Sequence, residues 1–176
     1  MIEIKRVGAE ELYPIRLEVL RNGSKNTEDA VFAGDDAPMT MHAGIYCDEL
    51  AGCVSVMEEY SEEISRIADG VEIKTDAVRN AGFGKLLMRM RGLAVYEKFR
   101  GQGLSFSLVR YAEFFAFAEK GAAVLWLNAR EHVVGLYEKM GYKKLGEPFN
   151  IENVGMHYLM YKPASEYSAG CKGCAK

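Results

Sequence analysis

The stretch Leu93-Ala94-Val95-Tyr96-Glu97-Lys98-Phe99-Arg100-Gly101-Gln102-Gly103-Leu104-Ser105 carries the most legible chemistry in this chain of 176 residues. A strand ends, a short loop brings one arginine and two glycines, and an amphipathic helix begins at once. Glycine tolerates positive φ, so successive N–H groups can turn into one concavity. The helix start adds unpaired donors and the positive end of its dipole. Arg100 adds a cation with planar donors. Such a loop can cradle a pyrophosphate; it can equally be a tight strand-to-helix turn with a surface arginine. Two other phosphate motifs fail on the letters. A P-loop needs Gly-x-x-x-x-Gly-Lys-Ser/Thr, which is absent, and a dinucleotide fingerprint needs a third glycine where Phe106 stands.

Other reactive side chains are scattered. Glu58 and Glu59 end a strand and are the candidates for a general base. His42 and His157 lie in strands, as substrate-pocket residues or as buried, hydrogen-bonded histidines, while His132 reads as solvated. No metal-ligand spacing joins the three, so no metal site is expected. Cys47 and Cys53 sit in apolar, strand-like surroundings and read as small buried hydrophobes. Cys171 and Cys174 form a lone Cys-x-x-Cys without two further zinc ligands or a following helix, as in a mobile tail.

The elements that must position these residues follow from periodicity. Residues 2–7 alternate as a first strand, and a helix follows from Glu10 to about Arg21, stopped by Asn22-Gly23. Met41 to Cys47 and Leu50 to Met57 form a hairpin. Residues 58–83 are acidic and poorly periodic, a loop with one weak helical turn. Leu86 to Val95 is a strand, Leu104 to Lys120 a helix, and Ala122 to Leu127 a short buried strand. Glu131 to Met140 is a second amphipathic helix, closed by Gly141. Tyr142 to Leu145 and Gly155 to Tyr161 are the last strands. Met88 and Met90 share one parity, Leu93 and Val95 the other, so a one-residue bulge near Gly92 would return both pairs to one side. Asn128 stands three residues before Glu131, a capping-box spacing that makes Asn128 a helix start.

Arg100-x-x-Gly103-x-Ser105 resembles the central Gln/Arg-x-x-Gly-x-Gly/Ala motif of the GCN5-related N-acetyltransferase (GNAT) superfamily, with Ser105 in place of the last small residue. Met90-Arg91-Gly92-Leu93-Ala94-Val95 is similar to that family's fourth strand. Asn128-Ala129-Arg130 followed by Leu136-Tyr137-Glu138-Lys139-Met140-Gly141-Tyr142 resembles its next motif, and Gly155 to Met160 the last strand of a bacterial subgroup. The resemblance covers residues 86–162 well and 1–57 more loosely. It implies an α+β fold, one GNAT-like domain with a mixed curved sheet flanked by helices and a bulged fourth strand. It implies acetyl-CoA as co-substrate, held by Leu93, Ala94, Val95, Arg100, Gly101, Gln102, Gly103, Leu104, Ser105 and Asn128. It implies acetyl transfer to a small-molecule or peptide amine by direct attack, with Tyr137 protonating the departing thiolate. The alternative is a non-catalytic acyl-CoA-binding sensor or partner module. A covalent relay through Cys47 or Cys53 lacks an evident neighbouring base. Acceptor pockets in such folds come from loops, here residues 21–40 and 58–83. The acidic Glu58, Glu59, Glu62, Glu63 and Asp69 suit a cationic acceptor or simply a solvated loop.

Composition bounds the rest. Hydrophobic residues at 49% and charged ones at 27% describe a soluble globular protein. The 22 basic and 25 acidic residues leave a net charge of −3, which gives no electrostatic grip on nucleic acid. No apolar run approaches the roughly 20 residues that span a bilayer, so the expectation is a cytoplasmic protein without membrane partners. A homodimer is compatible with all of this. The expected division is an acetyltransferase domain over residues 1–165 and a mobile tail over 166–176.

Overall fold

A computed structural model describes residues 1–70 and 85–168. Cys171 and Cys174 therefore lie outside the described residues. Strands β1 (Ile2–Arg6), β2 (Met41–Cys47), β3 (Glu49–Glu58), β4 (Leu87–Val95), β5 (Val124–Arg130), β6 (Lys143–Ile151) and β7 (Gly155–Pro163) form one sheet in the order β1-β2-β3-β4-β5-β7-β6. The described α-helices are α1 (Tyr13–Ile15), α2 (Glu62–Asp69), α3 (Leu104–Glu113) and α4 (Val134–Lys139). The expected α+β class holds. The chain divides into two compact units, Met1–Glu59 with Arg89–Phe115 and Tyr60–Met88 with Ala116–Lys176.

In the first unit β1, β2 and β3 pair antiparallel, with Ile4 opposite Ile45 and Ala43 opposite Val54. The expected first helix is not uniform. A 3-10 turn (Ala9–Leu12) leads into α1, and a π-turn (Arg16–Leu20) follows it. Pro14 has no N–H to complete an α-helical ladder, so the regular stretch starts only at its own turn. Leu12 and Ile15 pack with Cys53 and Ala94, flanked by Val19 and Leu50. Asn22 (φ 52°) and Gly23 (φ 77°) end the segment as expected.

In the second unit β5 pairs with β7 and β7 with β6, both antiparallel. Three expectations change here. The acidic segment after β3 contains a full helix, α2, rather than a weak turn. Ser61 caps it by accepting from the Ile64 amide, and Glu62 and Glu63 occupy its first turn, where they complement the dipole. Ile64 and Ala68 are its buried positions, against Val124 and Trp126. β5 runs on to Arg130, because its ladder with β7 continues through Asn128 opposite Leu159 and Arg130 opposite His157. β6 is longer than expected. Its register shifts between Leu145 and Phe149, where Gly146 has φ 70°; an irregularity is the place where a strand tolerates Gly146 and Pro148.

Candidate active site

The Arg100–Ser105 loop has the backbone that the sequence predicts. Gly101 (φ 77°) and Gly103 (φ 76°) are both left-handed, and a Cβ at either would project into open space. Gly103 is the N-cap of α3 and offers no side-chain cap. Among the described residues the amides of Gly101, Gln102 and Gly103 donate to no acceptor, and the first backbone bond at the helix start is Ser107 N–H to Gly103 O at 3.1 Å. The first-turn amides of Leu104, Ser105 and Phe106 have no intrahelical acceptor. Arg100 is exposed, and its Nε donates to Val95 O at 3.3 Å. The loop therefore joins a run of free donors to one cation, tethered to the end of β4.

Strand β4 breaks at Gly92, whose φ is 68°, the glycine conformation of one bulge type. The break falls where the parity argument puts it, but Ala94 and Val95 are the buried residues behind it, and Leu93 is only half-buried. A Cβ on Gly92 would stand 2.7 Å from the Phe32 ring, so glycine is needed here for space as well as conformation. Phe32 is flanked by two guanidiniums, with Arg16 4.0 Å and Arg91 4.5 Å from its centroid.

Arg16 belongs to a network that sequence reasoning missed. It is fully buried and donates to Asp35 (2.6 and 3.2 Å), Ser55 Oγ (2.8 Å) and Ala30 O (2.9 Å). Ser55 Oγ lies 2.8 Å from His42 Nδ1, and His42 Nε2 lies 3.0 Å from Asp35 O. Against these partners Nε2–H donates to the carbonyl and Nδ1 faces the serine hydroxyl. His42 is thus a buried, hydrogen-bonded histidine. The signal was hidden because its members are spread from position 16 to position 55. Of the two base candidates, Glu59 is engaged by Arg89 at 2.5 Å and Arg91 at 3.8 Å, whereas Glu58 is exposed and has no ion partner among the described residues.

In the second unit Tyr137 is buried on α4 and meets Tyr142 edge-on, with centroids 5.6 Å apart. Its hydroxyl makes no hydrogen bond to the described residues. Burial pushes its phenol well above the usual range, so the neutral, donating form persists. Asn128 does not cap the helix: it lies inside β5, and Arg130 is the N-cap of the turn that follows, without a side-chain cap. Asn128 instead lines a cavity. His157 donates from Nδ1 to Gly155 O at 2.7 Å, and His132 is exposed. His157 lies in the expected last strand and His132 outside the expected motifs.

Residues 9–142 match the acetyltransferase (GNAT) family. The chain belongs to this family. A relative in Bacillus subtilis, the uncharacterized N-acetyltransferase YitI, is 32% identical over 92% of this chain and 96% of its own. Two solved structures share the GNAT fold. Arabidopsis thaliana NAA60 in complex with acetyl-CoA aligns with a TM-score of 0.67 at 16% identity, over 93% of this chain and 98% of its own. An acyl-CoA N-acyltransferase from Pseudomonas aeruginosa aligns with a TM-score of 0.62 at 18% identity, over 92% and 99%. The expectation of an acetyltransferase is met at the level of the family, and that of the fold by these likenesses. The covalent alternative weakens. Cys53 is fully buried, donates to Gly92 O at 3.3 Å, and burial raises its thiol to about 12. No helix among the described residues is long and apolar enough to cross a membrane.

Proposed function

We propose that this GNAT chain transfers an acetyl group from acetyl-CoA to a primary amine by direct attack. The observation that carries the reading is the Arg100–Ser105 loop, with two left-handed glycines, free amides and an uncapped helix start beside one arginine. These residues fit a pyrophosphate: the amides of Gly101, Gln102 and Gly103 have no acceptor among the described residues, the space around Gly101 and Gly103 is open, and the helix end favours anions. A protein of the same fold solved with acetyl-CoA supports the choice of donor.

Bound acetyl-CoA supplies the acyl group as an activated thioester. Arg100 and the amides of Gly101, Gln102, Gly103, Leu104 and Ser105 hold its phosphates by charge-assisted bonds. Leu93, Ala94 and Val95, beyond the break at Gly92, offer backbone groups to the amides of the pantetheine arm. Tyr137 keeps a proton at Oη for the sulfur that leaves; burial, which favours its neutral form, supports this role. Glu58 receives the proton that an amine of pKa ~10.4 must lose before it attacks, through water.

The test is binding followed by turnover. Coenzyme A should raise the melting temperature, since a ligand that binds only the folded form stabilises it. Arg100→Ala should shrink that rise. With acetyl-CoA and a mixed panel of amines, free thiol should appear only when amine is present. Full coenzyme A affinity in Arg100→Ala would show the cradle to be misplaced, and binding without amine-dependent thiol release would reduce the protein to a sensor.

A further inference from the structure

Gly92 carries the break of β4 at φ 68°, yet glycine takes positive and negative φ about equally. The residue type alone does not hold the break, so a contact must. What depends on it is the direction of the backbone beyond, because a slip of one residue turns every following group to the other face. Leu93, Ala94 and Val95 are that backbone.

Cys53 Sγ of β3 donates to the Gly92 carbonyl at 3.3 Å, which fixes the strand on its ladder side. Phe32 covers the Cα. The place of a Gly92 Cβ lies 2.7 Å from Cε2 and 3.3 Å from Cζ of the Phe32 ring. The ring is itself held. Phe32 N–H donates to Asp35 Oδ2 at 2.9 Å, and Arg16 grips the same carboxylate oxygen at 2.6 Å while lying 4.0 Å from the ring centroid. Arg91, the residue just before the glycine, lies 4.5 Å from the same centroid. A guanidinium over an aromatic face gains strength when it is desolvated, and Arg16 is fully buried. The ring is 6% exposed, so its action passes through Gly92 and not through contact with a ligand. The left-handed turns of Gly101 and Gly103 lean on no such ring, since nothing stands within 4 Å of their Cβ positions.

We infer that Phe32 is a positioning residue for acetyl-CoA: it holds Gly92 in its left-handed turn and so aims the backbone groups of Leu93, Ala94 and Val95 at the amides of the pantetheine arm. The inference rests on the acetyl-CoA reading above. The phosphates, at the Arg100–Ser105 loop, do not depend on it. Loss of the ring therefore weakens the hold on the arm and spares the hold on the pyrophosphate.

The experiment separates those two parts of the ligand. Calorimetry follows the binding of coenzyme A and of 3′-phospho-ADP, which keeps the pyrophosphate and lacks the arm. Phe32→Ala removes the ring; Phe32→Leu keeps an apolar side chain but lacks the far ring atoms that reach Gly92. Both variants should bind coenzyme A about five- to tenfold more weakly, the scale of one or two lost hydrogen bonds, and 3′-phospho-ADP within about twofold of the wild type. If Phe32→Ala does not fold, Phe32→Leu decides. Gly92→Ala combined with Phe32→Leu should lose less coenzyme A affinity than the product of the two single losses, because both substitutions act on one turn. Equal losses for the two ligands overturn the inference, as do additive losses in the double variant or full coenzyme A affinity in Phe32→Leu; in each case the acetyl-CoA reading stands. A wild type that binds neither ligand overturns that reading instead, and the role of Phe32 with it.

Discussion

Burial decides what Tyr137 can offer. A phenol at the surface loses its proton near pH ~10, but the interior around α4 holds this one in its neutral form to higher pH. As a general acid it would serve throughout the working range, and donation of this kind contributes about 10²–10⁴-fold. Tyr137→Phe keeps the ring that packs on Tyr142 and removes only the hydroxyl. The expected outcome is a fall in kcat of that order with coenzyme A affinity unchanged. A fall of less than about threefold, with chemistry shown to limit the rate, would remove Tyr137 from the mechanism. Cys53 gives the opposite lesson. Its thiol is raised to about 12 and enclosed, so in the folded protein at neutral pH it should resist iodoacetamide and carry no acetyl group after incubation with acetyl-CoA. Mass spectrometry of the peptide that contains it decides the point.

At the scale of elements, the break in β4 and the π-turn after α1 support each other through Phe32. Gly92 lacks the Cβ that would strike the Phe32 ring, and Arg16 stacks on that ring while tying Asp35, Ser55 and the Ala30 carbonyl together. Gly92→Ala adds a contact of 2.7 Å and forces a left-handed alanine. Strain of this kind costs about 1–3 kcal/mol, and a melting-temperature loss with weakened coenzyme A binding is expected. Replacing Arg16 leaves the Asp35 carboxylate buried without its partner, which typically costs about 3–5 kcal/mol. For a chain of this size that is on the order of 10 °C in Tm. Arg16→Met should therefore melt far earlier than the wild type, and Asp35→Asn in the same chain should restore part of the difference. If Arg16→Met melts within about 2 °C of the wild type, the network contributes little to stability.

For the molecule as a whole, buried titrating groups set the alkaline limit. Cys53 rises from an ordinary 9.0 to about 12 in the folded chain, and Tyr137 also rises. Between those values the unfolded chain binds fewer protons than the folded one, so stability falls as pH rises. The slope for one such group is at most about 1.4 kcal/mol per pH unit. This contribution is fully present below pH 9 and is lost toward pH 12. Denaturant melts across that window should show the decline, and Cys53→Ala should flatten it. An unchanged slope in the variant would place the titration elsewhere.

The sequence by itself determined the α+β class, most of the element order, the left-handed backbone of the Arg100–Ser105 loop and the family, because these depend on local signals. Glycines that need positive φ, an arginine beside a helix start and apolar spacing are all read within about ten residues. Even the break at Gly92 was legible, through a change of parity inside one strand. Only the tertiary structure decided the rest. Asn128 read as a helix cap because capping is a local pattern, yet a ladder with β7 extends β5 past it and leaves its amide in a cavity. The helix α2 was masked by its charged exposed face, which only burial of Ile64 and Ala68 against β5 explains. Arg16, Asp35, His42 and Ser55 are unremarkable one at a time. Their meaning lies in hydrogen bonds across up to 39 positions of chain, which no local spacing encodes.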